Sequence, residues 1–249
     1  MQKSAFSCQR NDMTIRGYIF GQLKNKQDVV IISHGFLANQ QTVEEYAKVL
    51  ANEGYITVTF DFNGGGLHSK SDGNTDDMTV LTEKADLMAV IEAVFTNLHP
   101  RSISLMGCSQ GGFVSALVAN ELGEQIIHKL ILFYPALCIP DDARSGHMMF
   151  YKFDPNNVPN LLGRFPMKLG GDYARTVMDM NPYEEIKDYS GPVLLVHGTN
   201  DKIVNIRYAR NATSCFQNCE YHEIEGGGHG FNKEHDRIAI KYLQEFMRL

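Results

Sequence analysis

Ser102-Ile103-Ser104-Leu105-Met106-Gly107-Cys108-Ser109-Gln110-Gly111-Gly112-Phe113-Val114-Ser115-Ala116-Leu117-Val118-Ala119 is the stretch around which the chain is organised. Its first five residues alternate and then turn fully apolar, as a strand entering a sheet does, and the residues from Gly112 onward suit a helix packed closely on that sheet. Between them lies a Gly-x-Ser-x-Gly run, residues 107–111. A strand, a five-residue turn and a helix form the setting in which a serine is held in a strained backbone conformation. Bulky neighbours would not fit there, and Gly107 and Gly111 supply the room. The hydroxyl is then lifted to the N-terminal end of a helix, whose free N–H groups favour negative charge on a carbonyl under attack. Ser109 is the candidate nucleophile. A pentapeptide alone is weak grounds for this, so the weight falls on the rest of the chain.

Upstream, Asp28-Val29-Val30-Ile31-Ile32 reads as a central parallel strand covered on both faces, and it runs into Ser33-His34-Gly35-Phe36. If this is the third strand, the loop after it lends a backbone N–H, from Phe36, to an oxyanion hole completed by the N–H of Gln110. His34 is expected to brace that loop. Ser7 to Leu23 alternates weakly and reads as an edge hairpin punctuated by Gly17 and Gly21. Helical spacing covers Thr42 to Asn52 and Asp77 to Leu98, on either side of a strand over Tyr55–Phe60. Gly64-Gly65-Gly66 follows that strand without the Lys-Ser/Thr of a phosphate-binding loop and is read as a structural turn. Asp61, at the strand end, is a rival for the carboxylate of a catalytic triad.

Downstream, Lys129–Pro135 is a further buried strand, so strands and helices alternate as a parallel sheet with right-handed crossovers requires. The rhythm breaks between Ala136 and Gly191, a stretch too long for a strand-to-helix connection and rich in Met, Phe and Tyr. It is read as an inserted cap, at about 137–190, within a single domain spanning 1–249. An insertion at the carboxyl ends of parallel strands hangs over the crevice where such sheets bind ligands. The next central strand, Pro192–Gly198, leads to Asp201. A last strand, Glu220–Ile224, leads to Glu225-Gly226-Gly227-Gly228-His229, and an amphipathic helix from Lys233 to Leu249 follows.

Acyl transfer by serine needs a base within reach of the hydroxyl and a buried carboxylate to orient the imidazole. Of nine histidines, His197 lies too near Asp201 on one strand for the pair to converge on Ser109 from opposite sides. His68, His99, His128, His147, His222 and His235 fall in helix ends, surface loops or the insertion. His229 remains, and Ser109, Asp201 and His229 then stand at the ends of successive core strands.

Composition bounds the function. A net charge of −6 disfavours nucleic acid and anionic membrane surfaces as partners. Neither an apolar leader nor a run of eighteen apolar residues is visible, so a cytoplasmic protein with no membrane segment is expected. Five cysteines spread over the chain argue against a disulfide framework. Cys215 and Cys219 lie one helical turn apart but have no partners at zinc spacing and are read as ordinary thiols. No metal or cofactor is implied, and a homodimer is compatible with this composition.

With these motifs in place the chain resembles the α/β-hydrolase superfamily over essentially its whole length, through Ser33–Phe36, Gly107–Gly111, His197-Gly198-Thr199-Asn200-Asp201 and the Gly228-His229 loop. Within it, Gly-Cys-Ser-Gln-Gly and an insertion after the sixth strand are similar to the bacterial cinnamoyl (feruloyl) esterases. That resemblance implies a serine esterase acting on hydroxycinnamate esters, with a cap whose polar residues meet a phenolic hydroxyl. The matching positions are Asp142, in Pro140-Asp141-Asp142-Ala143, and Tyr173, in Gly170-Gly171-Asp172-Tyr173. The alternative for these two is structural, with Asp142 capping a helix and Tyr173 packing in the insertion. Where the family often has Gly-His-Gly, this chain has Gly64-Gly65-Gly66, a departure that bears on loop packing. Rival functions are an acylglycerol or lysophospholipid esterase and a binding protein that keeps the fold without the chemistry.

Overall fold

Strands with apolar residues at every position can be buried on both faces, and that property sets the architecture. A computed structural model describes residues 2–24 and 26–249. In chain order it contains β1 (Lys3–Arg10), β2 (Met13–Phe20), β3 (Asp28–Ser33), α1 (Glu44–Asn52), β4 (Ile56–Asp61), α2 (Val80–Leu98), β5 (Ser102–Cys108), α3 (Gln110–Leu122) and β6 (Ile127–Phe133). Next come α4 (Ile139–Arg144), β7 (His147–Met148), β8 (Tyr151–Lys152), β9 (Leu161–Gly163), β10 (Leu169–Gly170) and α5 (Asp172–Arg175). The chain finishes with β11 (Val193–Gly198), α6 (Arg207–Ala212), β12 (Cys219–Ile224) and α7 (Lys233–Arg248).

Eight strands form one sheet in the order β1-β2-β4-β3-β5-β6-β11-β12. β1 and β2, and β2 and β4, pair antiparallel; the other neighbours are parallel. Side chains alternate between two cores, as the two-residue period of a strand demands. Val29, Ile31, Leu105, Leu130, Leu132 and Leu195 pack on the side of α2 and α3. Val30, Ile32, Met106, Ile131, Phe133 and Val196 pack on the side of α1 and α7. Most are 0% exposed, and each such side chain contributes about 1.5–3 kcal/mol by leaving water.

Several boundaries differ from the sequence expectation. The edge hairpin begins at Lys3 and turns at Asn11-Asp12, where Asn11 takes φ 52°. Gly17 is therefore no punctuation; it lies inside β2, paired with Phe6 and Phe60. α2 starts at Val80 because Thr79 and Thr82 form a reciprocal capping box just before it. Between β6 and β11 the chain forms two short helices and two small two-stranded sheets, β7 with β8 and β9 with β10.

The turn between β5 and α3 is sharp. Ser109 sits at φ 54°, ψ −122°, a region that non-glycine residues occupy only when their surroundings force it. Both flanking glycines are needed. A Cβ on Gly107 would lie 2.2 Å from the Gly111 carbonyl oxygen, and one on Gly111 would lie 2.3 Å from that of His34. Backbone cannot yield at such distances. Gly111→Ala should therefore lower stability by about 2–3 kcal/mol, read as a drop in thermal midpoint; a midpoint unchanged from wild type would show that the elbow has slack.

Candidate active site

Because β5, β11 and β12 run the same way, the residues just beyond their carboxyl ends gather on one rim of the sheet. Ser109 follows β5 directly, Asp201 lies just past β11 and His229 just past β12. The last two loops are drawn together by bare backbone. A Cβ on Gly198 would lie 2.2 Å from the Gly227 carbonyl oxygen. The same carbonyl accepts the Asn200 N–H at 2.8 Å, and the Gly226 N–H donates to Thr199 Oγ1 at 2.8 Å. The result is a continuous chain of hydrogen bonds. His229 Nδ1 donates to Asp201 Oδ2 at 2.7 Å, which leaves Nε2 as acceptor for the Ser109 hydroxyl at 2.9 Å.

Asp201 is held by more than His229. Its Oδ1 accepts the N–H groups of Ile203 and Val204, both at 2.9 Å. Buried His197 donates from Nε2 to the Val204 carbonyl at 2.9 Å and brings the same nitrogen within 3.2 Å of Asp201 Oδ2. Burial pushes the carboxyl upward, but the hydrogen bonds from His197, His229 and Val204 outweigh it and hold Asp201 well below the usual carboxylate range. His197 does not reach Ser109; it supports the carboxylate from the side. The imidazole of His229 is also packed, edge to face, against Tyr134 at 4.9 Å between ring centres, and Phe231 backs Tyr134 at 4.8 Å.

The rival carboxylate is occupied elsewhere. Asp61 accepts the backbone N–H groups of Gln40 and Lys70, at 2.7 and 2.8 Å, and pins the loop after β4. His34 is fully buried, donates from Nδ1 to the Gly35 carbonyl at 2.9 Å and accepts the Phe62 N–H at 3.2 Å, so it ties the loop after β3 to the chain leaving β4. Burial lowers its proton affinity, in keeping with a neutral ring that both gives and takes a hydrogen bond. The thiol beside the serine is inert. Burial pushes Cys108 up to about 12, so no thiolate competes with Ser109.

Among the described residues no carbonyl or side-chain oxygen accepts the N–H of Phe36 or of Gln110. Both residues border a cavity that opens over Ser109 and His229 and measures ≈ 560 Å³ including its mouth. Its walls from the segment between β6 and β11 are apolar at Cys138, Ile139, Met148 and Met149, with Asp142 and Tyr173 as polar exceptions. Asp142 lies within α4 and does not cap it. Burial raises its carboxyl, outweighing the hydrogen bond from the Cys138 side chain and the pull of His147 and Arg207. Tyr173 is 2% exposed, tilts against Phe36 at 5.5 Å and hydrogen-bonds the Gln110 side-chain amide. It therefore packs and lines the cavity at once.

A parallel sheet with a strained serine between β5 and α3, faced by histidine and aspartate from later loops, defines an α/β-hydrolase. Residues 24–163, more than half of the chain, match the serine aminopeptidase, S33, family, and the chain belongs to it. The chain is also similar to Est1E from Butyrivibrio proteoclasticus. With ferulic acid bound, that protein superposes with a TM-score of 0.89 at 28% identity, over 97% of each chain. A second Est1E structure gives 0.85 at 25% identity, over 98% of this chain and 99% of that one. A relative from Synechocystis sp., named "Putative non-heme chloroperoxidase", is 25% identical over 96% of this chain and 98% of its own. Among the described residues no helix is long and apolar enough to cross a membrane, and no group of three or more His, Cys, Asp or Glu could hold a metal ion.

The depressed Asp201 carboxyl fixes the sign of a pH effect. Its folded value lies below the unfolded one of about 4, so the ionised form stabilises the fold above that pH, and the contribution is lost as pH falls toward the folded value. The stability difference between wild type and Asp201→Asn, measured by urea unfolding, should be greatest near neutral pH and narrow below about pH 4. A difference that grew in acid would contradict the hydrogen-bonding scheme.

Proposed function

We propose that the chain is a serine esterase that cleaves hydroxycinnamate esters through an acyl-enzyme. The observation that carries this is the Ser109–His229–Asp201 chain, at 2.9 and 2.7 Å, at the floor of a cavity of small-molecule size. His229 Nε2 takes the serine proton as Oγ attacks the ester carbonyl, and the new oxyanion is received by the N–H groups of Phe36 and Gln110. Collapse breaks the bond to the alcohol oxygen, to which His229 returns the proton. Water, activated by the same imidazole, then releases the acid. Asp201 stays ionised throughout and stabilises the imidazolium.

The acyl preference rests on the insertion acting as a cap over residues 137–190. It supplies apolar walls for a ring and two polar groups, Asp142 to accept from a phenol and Tyr173 to exchange a hydrogen bond with it. The similarity to Est1E with ferulic acid bound supports the same assignment. An acylglycerol or lysophospholipid esterase would need a long apolar channel.

A fluorophosphonate probe should label Ser109 in the wild type and leave Ser109→Ala unlabelled, with turnover reduced by roughly 10⁴–10⁶-fold; labelling elsewhere, or none, would favour a binding protein. Methyl ferulate should be hydrolysed with higher kcat/KM than a long-chain p-nitrophenyl ester. Asp142→Asn should cost the feruloyl ester about ten-fold more in kcat/KM than an acetyl ester, the value of one charged hydrogen bond. Equal losses on both would remove Asp142 from the acyl site.

A further inference from the structure

Behind the acyl cavity a carboxyl side chain is buried without a counter-ion. Glu83, in the first turn of α2, is 1% exposed, and neither of its oxygens makes a well-formed hydrogen bond. The guanidinium of Arg10 pairs with Asp86, one turn further along α2. What does approach the Glu83 carboxyl is the side-chain amide of Gln110, at the start of α3. That amide also meets the hydroxyl of Tyr173, from α5, which lines the cavity. Gln110 is 0% exposed. Three buried polar side chains from three helices thus form a line from the interior to the cavity wall.

Leaving a carboxylate there without a cation would cost several kcal/mol. Burial instead pushes Glu83 well above the usual carboxylate range, and its buried oxygens without a cation favour the neutral acid. A neutral acid has one O–H, which needs an acceptor, and the Gln110 amide is the group in reach. The two ends of a carboxamide have the same shape, and hydrogen bonding decides which faces where. As placed in the structure, Tyr173 donates its O–H to Gln110 Oε1 and Nε2 faces inward, where it spends an N–H on the weak acceptor Met78 Sδ at 3.5 Å and the Glu83 proton goes unused. If Oε1 faces Glu83, it accepts that proton's hydrogen bond, and Nε2 donates to the Tyr173 oxygen. The Tyr173 O–H is then released to turn toward the cavity that the residue lines.

We propose that Glu83 is a positioning residue whose carboxylic O–H orients the Gln110 amide so that Tyr173 presents a hydrogen-bond donor, not lone pairs, to the acyl group. This rests on the esterase reading above and narrows its substrate class. With Asp142 as acceptor and Tyr173 as donor, the cavity suits an aromatic acyl group carrying a hydroxyl beside an ether or second oxygen.

The polarity gives Glu83 substitutions an unusual order. Glu83→Gln keeps an inward donor, since its own N–H can bond Gln110 Oε1, whereas Glu83→Met fills the space and donates nothing. The ratio of KM for methyl ferulate to KM for p-nitrophenyl acetate should rise about ten-fold in Glu83→Met, the loss of roughly one hydrogen bond. It should return to the wild-type ratio in Glu83→Gln. An infrared difference spectrum of wild type against Glu83→Gln at neutral pH should show the carbonyl stretch of a protonated carboxylic acid. Absence of that band, equal ratios in Glu83→Met and wild type, or Glu83→Gln as impaired as Glu83→Met would each overturn the proposal. A wild type that hydrolyses the acetyl ester but not methyl ferulate would defeat the substrate reading, and the infrared band would still decide the state of Glu83.

Discussion

Every part of the site is placed relative to the carboxylate of Asp201. Two backbone N–H groups of its own loop and two imidazoles, from His197 and His229, surround its oxygens. A carboxylate so enclosed has one orientation available, and it passes that orientation to the ring that faces the serine. The backbone contact of Gly198 with Gly227 makes this enclosure possible, because any side chain at Gly198 would hold the two loops apart. Folding thus fixes in advance a hydrogen-bonded geometry that free side chains in solution would have to assemble.

The sheet provides the opposing force. Ser109 occupies a backbone region that costs on the order of 1–3 kcal/mol, and its neighbours are pressed against carbonyl groups. Such a turn survives only between elements that cannot move apart. β5 lies at the centre of the sheet, between β3 and β6, and α3 is buried along most of its length. The two cores on either face of the sheet therefore do more than stabilise the fold; they hold the elbow closed.

Much of this was legible in the sequence because it depends on local pattern. Apolar runs marked the central strands, with a serine after β5 and an aspartate after β11, and the histidine followed the more polar edge strand β12. Asp142 and Tyr173 came from a family resemblance, and the structure brings both to the same cavity. What the sequence did not reveal depends on contacts between distant segments. Asp61 stood at a strand end like a triad acid, yet it binds backbone N–H groups of Gln40 and Lys70. Tyr134 carries no local sign that its ring will meet His229. His197 was set aside as a base for its nearness to Asp201, and that nearness is what lets it brace the carboxylate. Glu83 drew no attention, because nothing local shows that its carboxyl is buried. The hairpin turn was missed because Asn11-Asp12 lacks a glycine, and a left-handed asparagine supplied the bend instead.

The residue beside Ser109 has a consequence for chemical selectivity. Cys108 is packed on the α1 and α7 side of the sheet, only 4% exposed, with its sulfur kept protonated. Peroxides, maleimides and other soft electrophiles seek exposed thiolates and find none at the elbow. On the proposed esterase chemistry, an inhibitor for this centre should carry phosphorus, boron or an activated carbonyl, groups that a hard serine oxygen attacks, in place of a soft thiol-directed group.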